Sequence, residues 1–213
     1  ISSGLVGSEM CIRDSVIIGT NAGTGGANQF DSNVAIGSSA LKSTGTNVMS
    51  GAVAVGYKAL EDLTNGQHNV AVGYRAGMNM TTSGNNTIIG YDAFVNVVDG
   101  VNSNVAIGTQ AMITLDRGSN ASTTVNGNIA IGYNALASGD FASLERTFYG
   151  NIAIGKNALD STGTNSQTGS IAIGHDALTN LTSGSQNTAI GYKSGLGLTC
   201  LLYTSPSPRD PKI

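Results

Sequence analysis

Gly51–Leu60, GAVAVGYKAL, is the stretch whose reading decides the fold, because the chain keeps rewriting it. It recurs as NVAIGSSAL at Asn33–Leu41, NVAVGYRAG at Asn69–Gly77, NTIIGYDAF at Asn86–Phe94 and NVAIGTQAM at Asn104–Met112. SVIIGTNAG begins the series at Ser15, and NIAIGYNAL, NIAIGKNAL, SIAIGHDAL and NTAIGYKSG complete it, the last at Asn187–Gly195. The shared glycine falls at Gly19, Gly37, Gly56, Gly73, Gly90, Gly108, Gly132, Gly155, Gly174 and Gly191, in steps of 17 to 24 residues. Ten ordered copies at that period read as a coil-by-coil repeat protein. The expected fold is all-β, a parallel β-roll or β-solenoid of about ten short coils.

Within a copy the apolar residues alternate, so each copy reads as a strand of about five residues. In NVAIG, Val34 and Ile36 point one way and Ala35 the other. The expectation is that the branched residues fill the coil and alanine leaves a smooth reverse face. The glycine ends the strand and turns the corner. Two residues later Ala40, Ala59, Ala76 and their counterparts return inward, and the Ala-Leu pair closes the coil as a second short strand or a tight turn.

Polar segments separate the copies. LTNGQHN (Leu63–Asn69), TTSGNN (Thr81–Asn86) and LTSGSQN (Leu181–Asn187) carry Asn-Gly or Ser-Gly turn signals and are expected to project at one edge of the stack. The two longest steps lead to Gly132 and Gly155 and contain insertions that must loop out. Phe141, Leu144 and Phe148 in the second have the spacing of one helical turn.

The period divides the chain into a non-repeat segment 1–14, a repeat domain 15–198 and a non-repeat tail 199–213. Pro206, Pro208 and Pro211 bar the tail from forming another coil. SEMCIRDS at Ser8–Ser15 and the tail TCLLYTSPSPRDPKI resemble translated sequencing-adapter remnants. On that reading Cys11 and Cys200, the only cysteines, are foreign to the native chain, which extends past both ends.

Composition excludes several classes. Ten Lys and Arg against 13 Asp and Glu give a net charge of -3, so no basic field is available to hold nucleic acid. No apolar run reaches the ~18 residues of a membrane helix, so no membrane insertion is expected within this segment. Thirty glycines, no tryptophan and 5% aromatics permit only a thin core. Stacking copies around a common axis adds buried surface, so a symmetric oligomer is expected.

Candidate chemistry is sparse. His68 and His175 occupy different repeat positions and read as solvated surface residues. Asp92 and Asp176 share a position, but most equivalent sites are not acidic, so no carboxylate pair recurs for acid–base work. No metal-ligand spacing, calcium loop or phosphate loop is present, and neither a catalytic nor a cofactor site is expected. Asn79, Asn85, Asn120 and Asn180 each open an N-x-[ST] triplet, a frequent chance pattern in such a composition. Tyr57, Tyr74, Tyr91, Tyr133 and Tyr192 all follow the corner glycine. They read as an aromatic ladder, with contact to sugar rings as the functional alternative.

The NVAIGxxA unit with its SxG-type linkers resembles the head repeats of trimeric autotransporter adhesins, the YadA-like left-handed β-roll, and the related repeats of bacteriophage tail fibres. The likeness spans Ser15 to about Leu198 and is carried by Val34, Ile36, Gly37, Ala40 and their counterparts. It implies a homotrimer of parallel rolls on a bacterial surface or a virion tail. The implied role is a non-enzymatic rod or head that attaches to a cell-surface glycan or protein receptor. Adhesin head repeats are shorter than the 17 to 24 residues here, the excess lying in the linkers, which favours the tail-fibre form. Two alternatives need features of their own. An ice-binding or carbohydrate-binding solenoid needs a flat Thr or aromatic ladder, and a β-helical enzyme acting on polysaccharide needs convergent acids on neighbouring coils.

Overall fold

The computed structural model describes residues 15–25, 29–43, 48–97, 100–113, 124–137, 147–160 and 166–199. The segments 1–14 and 200–213, with both cysteines, lie outside them. The described residues are all-β, without a helix, and form a parallel β-solenoid.

Each copy of the repeat contributes one strand to a ten-stranded sheet. These strands are β1 (Val16–Ile18), β3 (Val34–Ile36), β5 (Val53–Val55), β6 (Val70–Val72) and β7 (Thr87–Ile89), then β8 (Val105–Ile107), β10 (Ile129–Ile131), β12 (Ile152–Ile154), β14 (Ile171–Ile173) and β15 (Thr188–Ile190). They stack in that order, all parallel and in register, so Ala35 faces Ala54 and Ala54 faces Ala71. A second wall is a pair, β2 (Gln29–Asp31) with β4 (Val48–Ser50), and a trio, β9 (Thr124–Asn126), β11 (Thr147–Tyr149) and β13 (Gln167–Thr168). The described coils closed by a second strand are thus fewer than the ten copies in the sequence.

The strands of the long sheet are three residues long, not five. In the long sheet the residue ahead of each strand, Asn except at Ser15, Ala52 and Ser170, and the glycine behind it leave the ladder to make their own bonds between coils.

The inside and outside of the strands are the reverse of the expectation. Ala35, Ala54, Ala71, Ala106, Ala130, Ala153 and Ala172 are fully buried, whereas Val34, Ile36 and their counterparts are only partly covered. The reason is space. Leu41, Leu60, Phe94, Met112 and Leu136 enter the coil from the turn after the corner, and Val125 and Phe148 enter from the second wall, all without solvent exposure. The polar linkers contribute too: Leu63, Met80, Val97 and Leu181 are buried. A coil filled from three sides leaves room for a methyl group on the fourth. The linkers are therefore a wall of the solenoid and not loose projections. Thr64 and Asn65 N–H groups both donate to Thr81 C=O at 2.9 Å, and Thr182 N–H donates to Thr199 C=O at 3.0 Å.

The corner glycines are required twice over. Their φ lies between 124° and 146°, where L side chains are strained. From Gly19 to Gly174, a Cβ would also fall within 3.0 Å of the next corner glycine's carbonyl. The Ala-Leu pair is a tight turn: Ala59 N–H donates back to Gly56 C=O at 3.4 Å, and Leu60 takes φ 51°. Gly77 fills the same slot at φ 63°, so leucine is held in a glycine-like conformation by its place in the core.

Insertions do not disturb the stack, since β8, β10 and β12 remain in register across the two longest steps. The expected helical turn is absent at Phe148, which is a buried residue of β11. Pairing with β9 and β13 supplies its backbone bonds. Phe141 and Leu144 lie outside the described residues.

Candidate functional site: the tyrosine column and the branched face

The residue after each corner glycine starts a turn whose next residue takes a positive φ, as Lys58, Arg75 and Asp92 do at 53–56°. Stacked coils bring these slots into columns along the solenoid. Tyr57, Tyr74 and Tyr91 stack with centroids 5.0 and 5.3 Å apart and interplanar angles of 24° and 8°. All three remain nearly half exposed. Thr109 occupies the slot between Tyr91 and Tyr133 in the sequence order of coils, so Tyr133 does not extend the trio. Tyr192 stacks instead on His175, 5.5 Å away.

Cations line the column. Lys58 Nζ sits 5.7 Å from the Tyr57 ring and the Arg75 guanidinium 5.3 Å from that of Tyr74. Lys156 lies 5.9 Å from Tyr133, and Lys193 lies 5.1 Å from Tyr192. Such contacts contribute about 0.5–1 kcal/mol each at exposed sites. Arg75 donates to both oxygens of the buried Asp92 carboxylate, with Nε at 2.7 Å from Oδ1. That hydrogen-bonded partner raises the Arg75 pKa above its ordinary value. Lys58 and Lys42 both pair with Glu61, at 2.9 and 3.5 Å.

This geometry narrows what the trio can bind. Each ring face between Tyr57 and Tyr91 is turned towards a neighbour, so a sugar cannot stack within the trio. Along the trio the surface offered to solvent is a row of ring edges, flanked by Lys58 and Arg75, whose charges are matched by Glu61 and Asp92.

The remaining sequence candidates are dispersed. His68 is exposed, at φ 58°. Asp176 accepts from Asn157 Nδ2 at 3.0 Å, and its Oδ2 lies 3.1 Å from His175 Nδ1 without hydrogen-bond geometry. Burial, and secondarily the charge of Asp176, pushes the Asp160 carboxyl up to about 6. Asn79 Nδ2 reaches Asn96 Oδ1 at 3.5 Å, Asn180 Nδ2 donates to Leu196 C=O at 2.8 Å, and Asn85 is exposed; Asn120 lies outside the described residues. Among the described residues no group of three His, Cys, Asp or Glu side chains is placed to hold a metal ion. No helix there is long and apolar enough to cross a membrane.

Two features were not drawn from the sequence. The first is a buried column of Asn69, Asn86, Asn104, Asn128 and Asn151 that bonds successive coils. Its signal was present in the Asn that opens most copies.

The second is the outer face of the long sheet. The registers align Val34, Val53, Val70, Thr87, Val105, Ile129, Ile152 and Ile171 in one column. They align Ile36, Val55, Val72, Ile89, Ile107, Ile131, Ile154 and Ile173 in the other. The two columns form a half-exposed strip, branched throughout and apolar except at Thr87, along the outside of the sheet. Comparison with protein-family models, with curated proteins and with solved structures finds no match.

Proposed function

We propose that the chain is a stretch of a non-enzymatic fibrous surface protein, a rod or head used in attachment to a cell surface or host receptor. It acts outside the cell, on a bacterial surface or a virion tail. The observation that carries this reading is the double column of branched apolar side chains on the outer face of the long sheet. Such a face needs cover, and a stack of in-register, near-repeating rungs is matched in length and spacing by a second copy of itself. Three copies packed through these columns around one axis form a closed homotrimer. The alanines of these strands are inside the coil, so the contact falls to Val and Ile. The tyrosine column then lies past the corner from the packed face, where a receptor glycan or protein meets ring edges and cations.

Light scattering during size exclusion tests this on the full chain. The expected mass is three times the 21.5 kDa of one chain. Ile131→Lys with Ile154→Lys, which place charges on the outer columns, are expected to give a folded monomer. A wild-type chain that stays monomeric and well folded overturns the trimer.

A further inference from the structure

The ring column has a gap one rung deep. Along the slot after each corner glycine the order is Tyr57, Tyr74, Tyr91, Thr109, Tyr133 and Lys156, with a small side chain where a fourth ring would continue the trio. The backbone carries no matching break. Gln110 N–H donates to Tyr91 C=O at 2.9 Å and Asn134 N–H to Thr109 C=O at 3.2 Å, as Asp92 N–H does to Tyr74 C=O at 2.9 Å. Just ahead of these corners Ile89 pairs with Ile107 and Ile107 with Ile131. Tyr91 and Tyr133 thus sit two rungs apart, about 10 Å. In the trio the same interval, from Tyr57 to Tyr91, holds the ring of Tyr74 at 5.0 and 5.3 Å from its neighbours.

Both walls of the gap are ring faces. Tyr91 lies on Tyr74 at 8° through one face, which leaves the other towards Thr109. Lys156, one rung beyond Tyr133, lies over that ring at 5.9 Å, which leaves its opposite face towards Thr109 as well. Tyr91 is 50% and Tyr133 46% exposed, and Thr109 between them is exposed. The rim of the gap is polar and neutral. The residue after the ring slot reaches the column, as Lys58 and Arg75 do over Tyr57 and Tyr74. At the gap these residues are Gln110 and Asn134. Neither their side-chain amides nor the Thr109 hydroxyl has a hydrogen-bond partner among the described residues. The Asp92 carboxylate, one rung before Gln110, is held by Arg75.

We propose that the gap is a binding site for one pyranose ring of a neutral glycan, held between Tyr91 and Tyr133 over Thr109. A pyranose carries C–H groups on its two faces and hydroxyls round its rim. The faces meet the two aromatic rings, and the rim meets the Thr109 hydroxyl and the Gln110 and Asn134 amides. An aromatic ring would fill the same space but give those polar groups little to bond. The site names the ligand class for the attachment reading above, on which its biological use rests. The slot itself is complete within one chain and lies outside the branched columns that pack in the trimer.

Saturation-transfer NMR on the full chain tests it, with cellotriose, maltotriose, mannotriose and chitotriose as probes. Saturable binding of at least one is expected. Thr109→Tyr puts the chain's own ring in the gap and is expected to abolish that binding. Ser38→Tyr adds a ring at the far end of the trio and is expected to leave it unchanged. Tyr133→Ala removes one wall and is expected to weaken it about tenfold. Circular dichroism melting checks the fold of each variant, and Tyr133→Ala carries the test if Thr109→Tyr does not fold. No binding by any probe, binding that survives Thr109→Tyr, binding at full strength in Tyr133→Ala, or p-cresol binding more tightly than every trisaccharide would each overturn the proposal. A chain that is monomeric by light scattering and still binds would keep the slot and lose the trimer. A trimer that binds no trisaccharide would lose the slot alone.

Discussion

Asn104 Oδ1 accepts two hydrogen bonds from Asn128 in the next coil, from its backbone N–H at 2.9 Å and its side-chain Nδ2 at 3.0 Å. Asn104 Nδ2 in turn donates to Asn86 Oδ1 and to Val125 C=O. Asn104→Leu removes both roles and leaves buried donors and acceptors unpaired, at about 1–3 kcal/mol per group. Chemical denaturation is expected to show a loss of about 3 kcal/mol or more. Asn104→Ser should lose much less, because Ser170 already fills this column and accepts N–H of Asn187 at 3.4 Å.

The corner column permits a sharper test. Gly73 has φ 139°, and a Cβ there would collide with the Gly90 carbonyl. Gly73→Ala is expected to destabilise by about 3 kcal/mol or more, since backbone strain and steric overlap add. Gly150→Ala, at φ 65° with nothing within 4 Å, carries only the strain and should lose about 1–2 kcal/mol. Equal losses in thermal melts would count against the axial contact as the reason for the corner glycines.

Asp160 makes stability depend on pH. Its carboxyl is raised from 3.8 to about 6, first by burial and then by Asp176, so the folded state binds the proton more tightly than the unfolded state. The resulting stabilisation is full below pH 3.8 and is lost as pH rises through about 6. At ~1.4 kcal/mol per unit, reduced for solvent screening of a partly exposed group, the loss is about 1–2 kcal/mol. Asp160→Asn should flatten this part of the stability profile and raise the melting temperature at pH 7. An unchanged slope in the variant would assign the pH dependence elsewhere.

Gln167 is fully buried in the second wall beside Phe148, with neither its Nε2 nor its Oε1 bonded. Gln167→Met has nearly the same length and removes the unpaired polar atoms. Denaturant titration is expected to show a gain of about 1–2 kcal/mol. A loss would mean that the side-chain amide is satisfied in solution.

The repeat made the architecture legible: ten glycines at a near-constant step placed ten strands in one parallel sheet, and the same glycines turn the corners. Alternation could show that Val34 and Ile36 oppose Ala35, but not which face is inner, because period two is the same from either side. The answer depended on how much space Leu41, Leu63 and Phe148 take from the other walls, which no single strand records. The tyrosine column was legible as a slot. Its break at Thr109 was visible too, but the stacking of Tyr57, Tyr74 and Tyr91 on one another, which removes the faces between them from a ligand, required coordinates. The Asn column was legible as a letter and not as a bond, since the residue that looks like a turn former is buried and paired along the axis.

The corner glycines and the asparagines make each coil's upper and lower surfaces nearly interchangeable. A coil duplicated or deleted in the gene meets neighbours that already fit it, and the solenoid changes length by one graduation of about 4.8 Å. Length can thus be reset a mark at a time while every remaining coil keeps the contacts it had.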